Sequence, residues 1–299
     1  MIANPIPWPG GCRCAVAITF DMDADSILHL AHPESADNRV MALSMLRYGP
    51  EVAIPRILEM YRRFAMKQTF FIPAWTMERY PAAVEAILKD GHEIGHHGYL
   101  HEHPNELSRE DELYWMQRSI SVIEKMTGQR PRGNRAPSYR FSRNSLDHLV
   151  GEGFAYDASL MGDDVPYLLD NGSGTVVEMP SHYAMDDWAH YMTSRDLAYM
   201  MQPKATSDAM RAFREEFDSV WRHGGLWLAV WHPFLSGRLA RCDAIEELLT
   251  YMHGKGGVWF ARLEDISAHV HQLEASGTWT PRRDRLPYYV SPIPELTRP

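Results

Sequence analysis

The sequence predicts an α/β protein: a closed or nearly closed barrel of about seven parallel strands wrapped by helices. Three observations carry that expectation. Apolar strand-like runs alternate with helical runs for almost the whole length, which is the pattern of parallel β/α units rather than of a sandwich. With 299 residues, 45% of them hydrophobic, the chain can bury the core of one large domain. Ionisable residues recur just beyond the strand ends, where parallel β/α folds place their sites.

The elements follow in order. Residues 1–13 read as an N-terminal arm and CAVAITFD (14–21) as the first strand. A mixed insertion at 24–50 precedes a helix at 51–64, where Pro55 is tolerated because it falls in the first turns. TFFIPA (69–74) is a second strand, and the helix through PAAVEAILKD stops at Gly91, whose missing Cβ suits a left-handed cap. HEIGH (92–96) is a third strand; Ser108 with Asp111 then caps a helix ended by Thr127-Gly128. The later strands are RGNRAP (132–137), FAYD (154–157), VVEMP (176–180), LWLAVWH (226–232) and GVWFAR (257–262). Helices are expected at 142–150, 206–222, 240–253 and up to Leu273. The Pro- and Arg-rich tail, 275–299, reads as an extended arm packing on the barrel or on a neighbour. No internal repeat and no linker interrupts the chain, so 1–299 reads as one domain.

A formal net charge of −9 and the absence of any Lys/Arg run longer than two argue against nucleic acid as a partner. Cys12, Cys14 and Cys242 form no even framework and fit a reducing compartment. The N-terminus has no basic, apolar leader pattern, and no apolar run approaches the ~18 residues of a spanning helix. The expectation is a cytoplasmic protein with no membrane partner.

Asp21-Met22-Asp23, His97 and His101 carry the chemistry. Two Asp at i and i+2 leaving a strand project to one side and can share a pocket, an arrangement that is costly unless a cation or proton offsets the repulsion. One carboxylate and two imidazoles form an O/N donor set for a divalent metal, and the spare carboxylate can take a proton from water. Asp25 is read as structural. HEIGH (92–96) matches a zinc-protease pattern, yet that pattern needs a helix, and Gly91 and Gly95 argue for a strand. His97 and His101 remain, with i, i+4 spacing that suits a single helical turn. Arg135 beside Asp21 would hold that carboxylate ionised, and His232 ends the most apolar strand on the same side. Trp231, Tyr139, Tyr99 and Trp188 are candidate pocket walls.

TFDMD (19–23), HGYLH (97–101), RAPSY (135–139) and VWHP (230–233) together resemble, in order and spacing, the motifs of the polysaccharide deacetylase family, also called the NodB-homology or carbohydrate esterase four group. The resemblance spans roughly 14–270 and implies a distorted (β/α) barrel with an Asp-His-His metal site, usually zinc. It implies Asp23, His97 and His101 as ligands, Asp21 as catalytic base, Arg135 as its orienting partner and His232 as general acid. The family's usual adjacent Asp pair is here split by Met22. That form, Gly98, and the opening WPGG (8–11) are similar to a branch with a Helicobacter peptidoglycan deacetylase, cyclic imide hydrolases and allantoinases. Two residues, Asp157 and Asp187, qualify as the partner of His232.

The implied activity is hydrolysis of a non-peptide carbon–nitrogen bond, with a backbone N–H near Tyr139 assisting the oxyanion. With no export leader evident, a small N-acyl compound or cyclic amide or imide is expected as substrate, and the insertion at 24–50 is expected to cover the pocket mouth. The alternatives are N-deacetylation of a polysaccharide or peptidoglycan amino sugar, and a non-catalytic sugar-binding protein. The Pro-rich tail and the branch resemblance also imply a homo-oligomer.

Overall fold

A computed structural model describes residues 1–289; residues 290–299 of the expected tail lie outside the described residues. Ten strands occur among them: β1 (Cys14–Asp21), β2 (Thr69–Ile72), β3 (Glu93–His96), β4 (Gly133–Asn134), β5 (Tyr156–Asp157), β6 (Tyr167–Asp170), β7 (Thr175–Glu178), β8 (Leu226–Trp231), β9 (Val258–Phe260) and β10 (Arg283–Arg285). They form one sheet in the order β10-β6-β7-β5-β4-β3-β2-β1-β8, with β9 also on β1. Every pairing is parallel except β6 with β7.

The parallel α/β architecture agrees with the sequence, but the sheet is open rather than closed. Among the described residues no ladder joins β8 to β10, and β4 and β5 are only two residues long, too short to carry extended pairing around a ring. The free edge of β8 is instead covered by the segment after β7. Asp186 bridges Val230, Asp187 N–H donates to the Val230 carbonyl at 3.1 Å, and Ser181 Oγ donates to the Leu228 carbonyl at 2.9 Å.

Period-2 alternation gives the sheet two buried faces. On β1, Cys14, Val16, Ile18 and Phe20 face the large helix-covered core, while Ala15 and Ala17 face an inner core with Phe71, Tyr156 and Leu228. Continuing the inner series brings Thr19, Asp21 and Asp23 to the site, and on β8 the series Leu226, Leu228, Val230 brings His232. The same alternation turns Trp231 outward, fully buried against Phe20 and Phe213, so it is core and not a pocket wall.

The helices largely follow the expected pattern. Ser108 caps the helix Arg109–Thr127 by accepting from Asp111 N–H at 3.1 Å, and Gly128 ends it in the left-handed region at φ 76°. The expected helix at 51–64 begins as a π turn over Gly49–Ala53 and becomes α only at Ile54. The tail packs on its own sheet: β10 adds beside β6, and Trp279 is buried in the inner core.

Candidate active site

Six residues expected at the site, Asp21, Asp23, His97, His101, Arg135 and His232, meet in one cavity of about 190 Å³ at the carboxyl end of the sheet. Asp23 sits at its centre. Its Oδ1 is 3.4 Å from His97 Nε2, and its Oδ2 is 3.6 Å from His101 Nε2 and 3.5 Å from His232 Nε2. The metal-type donor atoms of Asp23, His97 and His101 all lie within 4.8 Å of one another.

The two imidazoles arrive by a route the spacing did not suggest. Residues 97–101 form no helical turn: Gly98 and His101 take left-handed φ values of 71° and 69°. The Glu102 carboxylate folds back to accept from the N–H groups of Tyr99 and Leu100, which holds a tight loop and sets the two rings 5.0 Å apart. At Gly98 an added Cβ would also lie 3.0 Å from Glu102 Oε1.

The donor set fits a divalent cation. His97 Nδ1 bonds the Arg135 carbonyl at 2.7 Å; a carbonyl only accepts, so this nitrogen carries the proton and Nε2 presents a lone pair toward Asp23. Burial holds the His101 imidazole neutral, lowering its pKa to about 3. Asp23 Oδ1 is buried without a hydrogen-bond partner, an expensive arrangement unless a positive charge completes it. Burial opposes charge on both Asp23 and His97, yet His101 and the other neighbouring groups hold Asp23 below the usual carboxylate range, and Asp21 and Asp23 raise His97. The cluster thus draws positive charge. Three protein ligands leave open positions, as a catalytic zinc-type site requires.

Asp21 is positioned from behind. Arg135 Nη1 donates to its Oδ1 at 2.6 Å and to Thr19 Oγ1 at 2.8 Å, Nε donates to the Ala158 carbonyl at 3.0 Å, and the guanidinium lies 4.2 Å over the Phe71 ring. Oδ2 faces the triad, 3.7 Å from His97 Nε2.

Between the two possible partners of His232, the structure places Asp187 beside it. Asp187 Oδ1 accepts from His232 Nδ1 at 2.7 Å and Oδ2 from His232 N–H at 3.0 Å and Ser236 Oγ at 2.6 Å. Burial would lower the His232 pKa, but the Asp187 charge and hydrogen bond, with Asp23 and Asp186 behind them, push it up to about 10. Asp186, Asp187 and His232 also lie close enough for a metal. With three donors already on Asp187, that group is better read as an oriented acid. Asp157 alternates to the opposite face of β5 from Tyr156, where Asn134 and Ser159 bond it.

The Tyr139 N–H donates to the Ala136 carbonyl at 2.9 Å and the Arg140 N–H to the Pro137 carbonyl at 3.0 Å, so neither of these two is free for an oxyanion. One further expectation fails. The insertion at 24–50 contributes no lining residue. It packs behind the cover instead: His32 Nε2 bonds the Asp196 carbonyl at 2.6 Å, and Arg39 pairs with the Asp196 side chain. The cover itself comes from the segment carrying Tyr183, Trp188 and Tyr199, with Tyr139 edge-on to Tyr183 at 5.7 Å between ring centres. Tyr99 lies outside, stacked on Trp115 at 5.3 Å. Sequence reasoning missed Tyr183, Asp186 and Tyr199; the only available signal was an aromatic-rich stretch without periodicity. Asp25 is structural as expected, accepting from Tyr80 Oη at 2.6 Å. No described helix is long and apolar enough to cross a membrane.

The chain resembles known proteins over nearly its full length. Residues 34–156 match the polysaccharide deacetylase family. A crystal structure of a candidate polysaccharide deacetylase from Mycobacterium smegmatis is 36% identical, with a TM-score of 0.88 covering 100% of this chain and 99% of that one. A peptidoglycan deacetylase-like protein of Gibberella zeae is 30% identical over 75% of this chain and 72% of its own. The peptidoglycan deacetylase of Helicobacter pylori is 24% identical over 84% of this chain and 95% of its own.

Proposed function

The chain belongs to the polysaccharide deacetylase family, hydrolases of carbon–nitrogen bonds other than peptide bonds, and from that membership we propose a metal-dependent hydrolase of a compact N-acyl or cyclic amide. One observation carries the reading: an Arg135-held carboxylate stands beside the Asp23-His97-His101 donor set, with an Asp187-held imidazole across from it.

Asp23, His97 and His101 would hold the ion, and their donor chemistry suits zinc. When bound, the ion supplies Lewis acidity and lowers the pKa of a coordinated water from about 15.7 toward ~7. Asp21 takes the proton of the attacking water through Oδ2, because the Arg135 guanidinium occupies Oδ1. His232 delivers a proton to the leaving nitrogen. Its Nδ1–H is spent on Asp187, which turns Nε2 toward the cavity, and its raised pKa keeps that nitrogen protonated near neutrality. An amine leaving without that proton would be too basic to depart.

The cavity size supports a compact substrate. About 190 Å³ is below the ~300–1,000 Å³ of sites that bury drug-sized ligands, and Tyr183, Trp188 and Tyr199 cover it. A second reading, N-deacetylation of an amino-sugar unit in peptidoglycan or another polysaccharide, is favoured by the names of the Helicobacter and Gibberella relatives. Acid release from N-acetyl amino sugars, their oligomers, cyclic imides and ureides, each with and without chelator, separates the two. Turnover of oligomers alone would remove the compact-substrate reading, and turnover indifferent to chelator would remove the metal.

A further inference from the structure

Asp186 lines the cavity beside the triad, yet none of the proposed steps uses it. Its neighbour Asp187 spends both oxygens on His232 and Ser236. Asp186 is committed more lightly: Tyr139 Oη donates to Oδ2 at 2.6 Å and Trp188 N–H to Oδ1 at 2.8 Å. A carboxylate offers about four acceptor directions over its two oxygens, so each oxygen keeps one. His232 Nδ1, at 3.9 Å, is beyond hydrogen-bond reach and is already donating to Asp187. A turn cap alone would be served as well by Asn or Ser, without the cost of a charge that is only 6% exposed.

We propose that Asp186 is the specificity determinant of this pocket, accepting a hydrogen bond from an N–H or O–H that the substrate carries next to its scissile amide. The inference rests on the amide-hydrolase reading and names the chemistry its substrate must present. In a cyclic imide or ureide the donor is the ring N–H; in an N-acetyl amino sugar it is the hydroxyl beside the acetamido group. Trp188, Tyr183 and Tyr199 line the same space with aromatic rings, so a substrate lacking the donor leaves the remaining acceptor positions of the buried carboxylate unfilled. Sites built to hydrogen-bond a substrate O–H or N–H reject the analogue without it far more strongly than apolar pockets reject a missing methylene.

The test is calorimetric binding of two matched ligand pairs to the metal-loaded protein: hydantoin with its N-methylated form, and N-acetylglucosamine with its 3-deoxy form. Wild type should bind the donor-bearing member of one pair at least about tenfold tighter than its partner, and the pair concerned identifies the donor. In Asp186→Asn, which keeps the shape but turns an amide toward the ligand, the gap should close because the donor-bearing member weakens alone. Tyr139→Phe, which retains the carboxylate, should preserve the gap and shows whether disturbance of the cover is enough to close it. Equal affinity within both pairs in wild type, undetectable binding included, would overturn the inference, as would a gap that survives Asp186→Asn. Acid release from the same compounds reports separately on the amide-hydrolase reading: a gap without hydrolysis sinks that reading alone, and hydrolysis without a gap sinks only the inference.

Discussion

Arg135 Nη1 meets Asp21 Oδ1 at 2.6 Å in an interior where Arg135 is 0% and Asp21 3% exposed. Two charges so buried stabilise each other only as a pair, and removing one leaves the other uncompensated. Arg135→Ala should therefore lose roughly 3–5 kcal/mol of stability in denaturant titration. Arg135→Lys keeps the charge but cannot reach Asp21, Thr19 and the Ala158 carbonyl from one planar group, and should fall between. A loss below ~1 kcal/mol for Arg135→Ala would show that water reaches this pair.

Asp21 and Asp23 separate in their variants. Asp21→Asn keeps the triad intact, so metal content should match wild type while kcat drops about 10²–10⁴-fold. Asp23→Asn and His97→Ala should lose the metal itself, read as stoichiometry by plasma mass spectrometry. Chelated wild type should be inactive and melt lower, with zinc restoring both, since an ion at 100 times its Kd adds about 2.7 kcal/mol to native stability. An Asp21→Asn enzyme within tenfold of wild type would remove Asp21 as the base.

The strand-end logic was legible because it follows from alternation: CAVAITFD is both the predicted and the observed first strand, and its inner series runs straight into Asp21 and Asp23. The 97–101 loop was not, because i, i+4 spacing is shared by a helical turn and by a loop closed through the Glu102 side chain. The β6–β7 hairpin and the cover segment were also illegible. Tyr183, Asp186 and Tyr199 take their places from tertiary contacts with β8 and the 24–50 insertion, and no local period records such contacts.

Small residues on the strands make room for the inner core. A Cβ on Gly133 would fall 1.8 Å from Tyr156 Cζ, inside a ring whose hydroxyl is held by Glu93 at 2.7 Å. Gly133→Ala should thus destabilise by at least ~1–3 kcal/mol through overpacking. Gly151, within the helix Ser145–Glu152, meets nothing within 4 Å, and Gly151→Ala should stabilise by about 0.5–1 kcal/mol. Paired thermal melts check the contrast, and equal effects at the two sites would refute the packing argument.

Glu93 sits buried on β3, accepting from Thr69 Oγ1 at 2.6 Å, Tyr156 Oη at 2.7 Å and Glu264 N–H at 3.1 Å. Burial, with the Glu264 charge adding to it, raises its pKa to about 7 against those three donors. Because the native pKa lies above the unfolded one, the folded protein binds the extra proton. The stability this contributes is present below the ordinary carboxylate range and is lost as pH rises through about 7. The shift from 4.5 to about 7 corresponds to roughly 3 kcal/mol at most. Glu93→Gln has no proton to lose, but its amide must turn an N–H₂ toward one of the three donors, costing about 1 kcal/mol at pH 5. Wild type should therefore be the more stable at pH 5, and the difference should shrink or reverse by pH 8. Denaturant titrations at pH 5, 6.5 and 8 measure it directly: parallel profiles for the two proteins would mean that Glu93 is ionised throughout, its three donors outweighing burial.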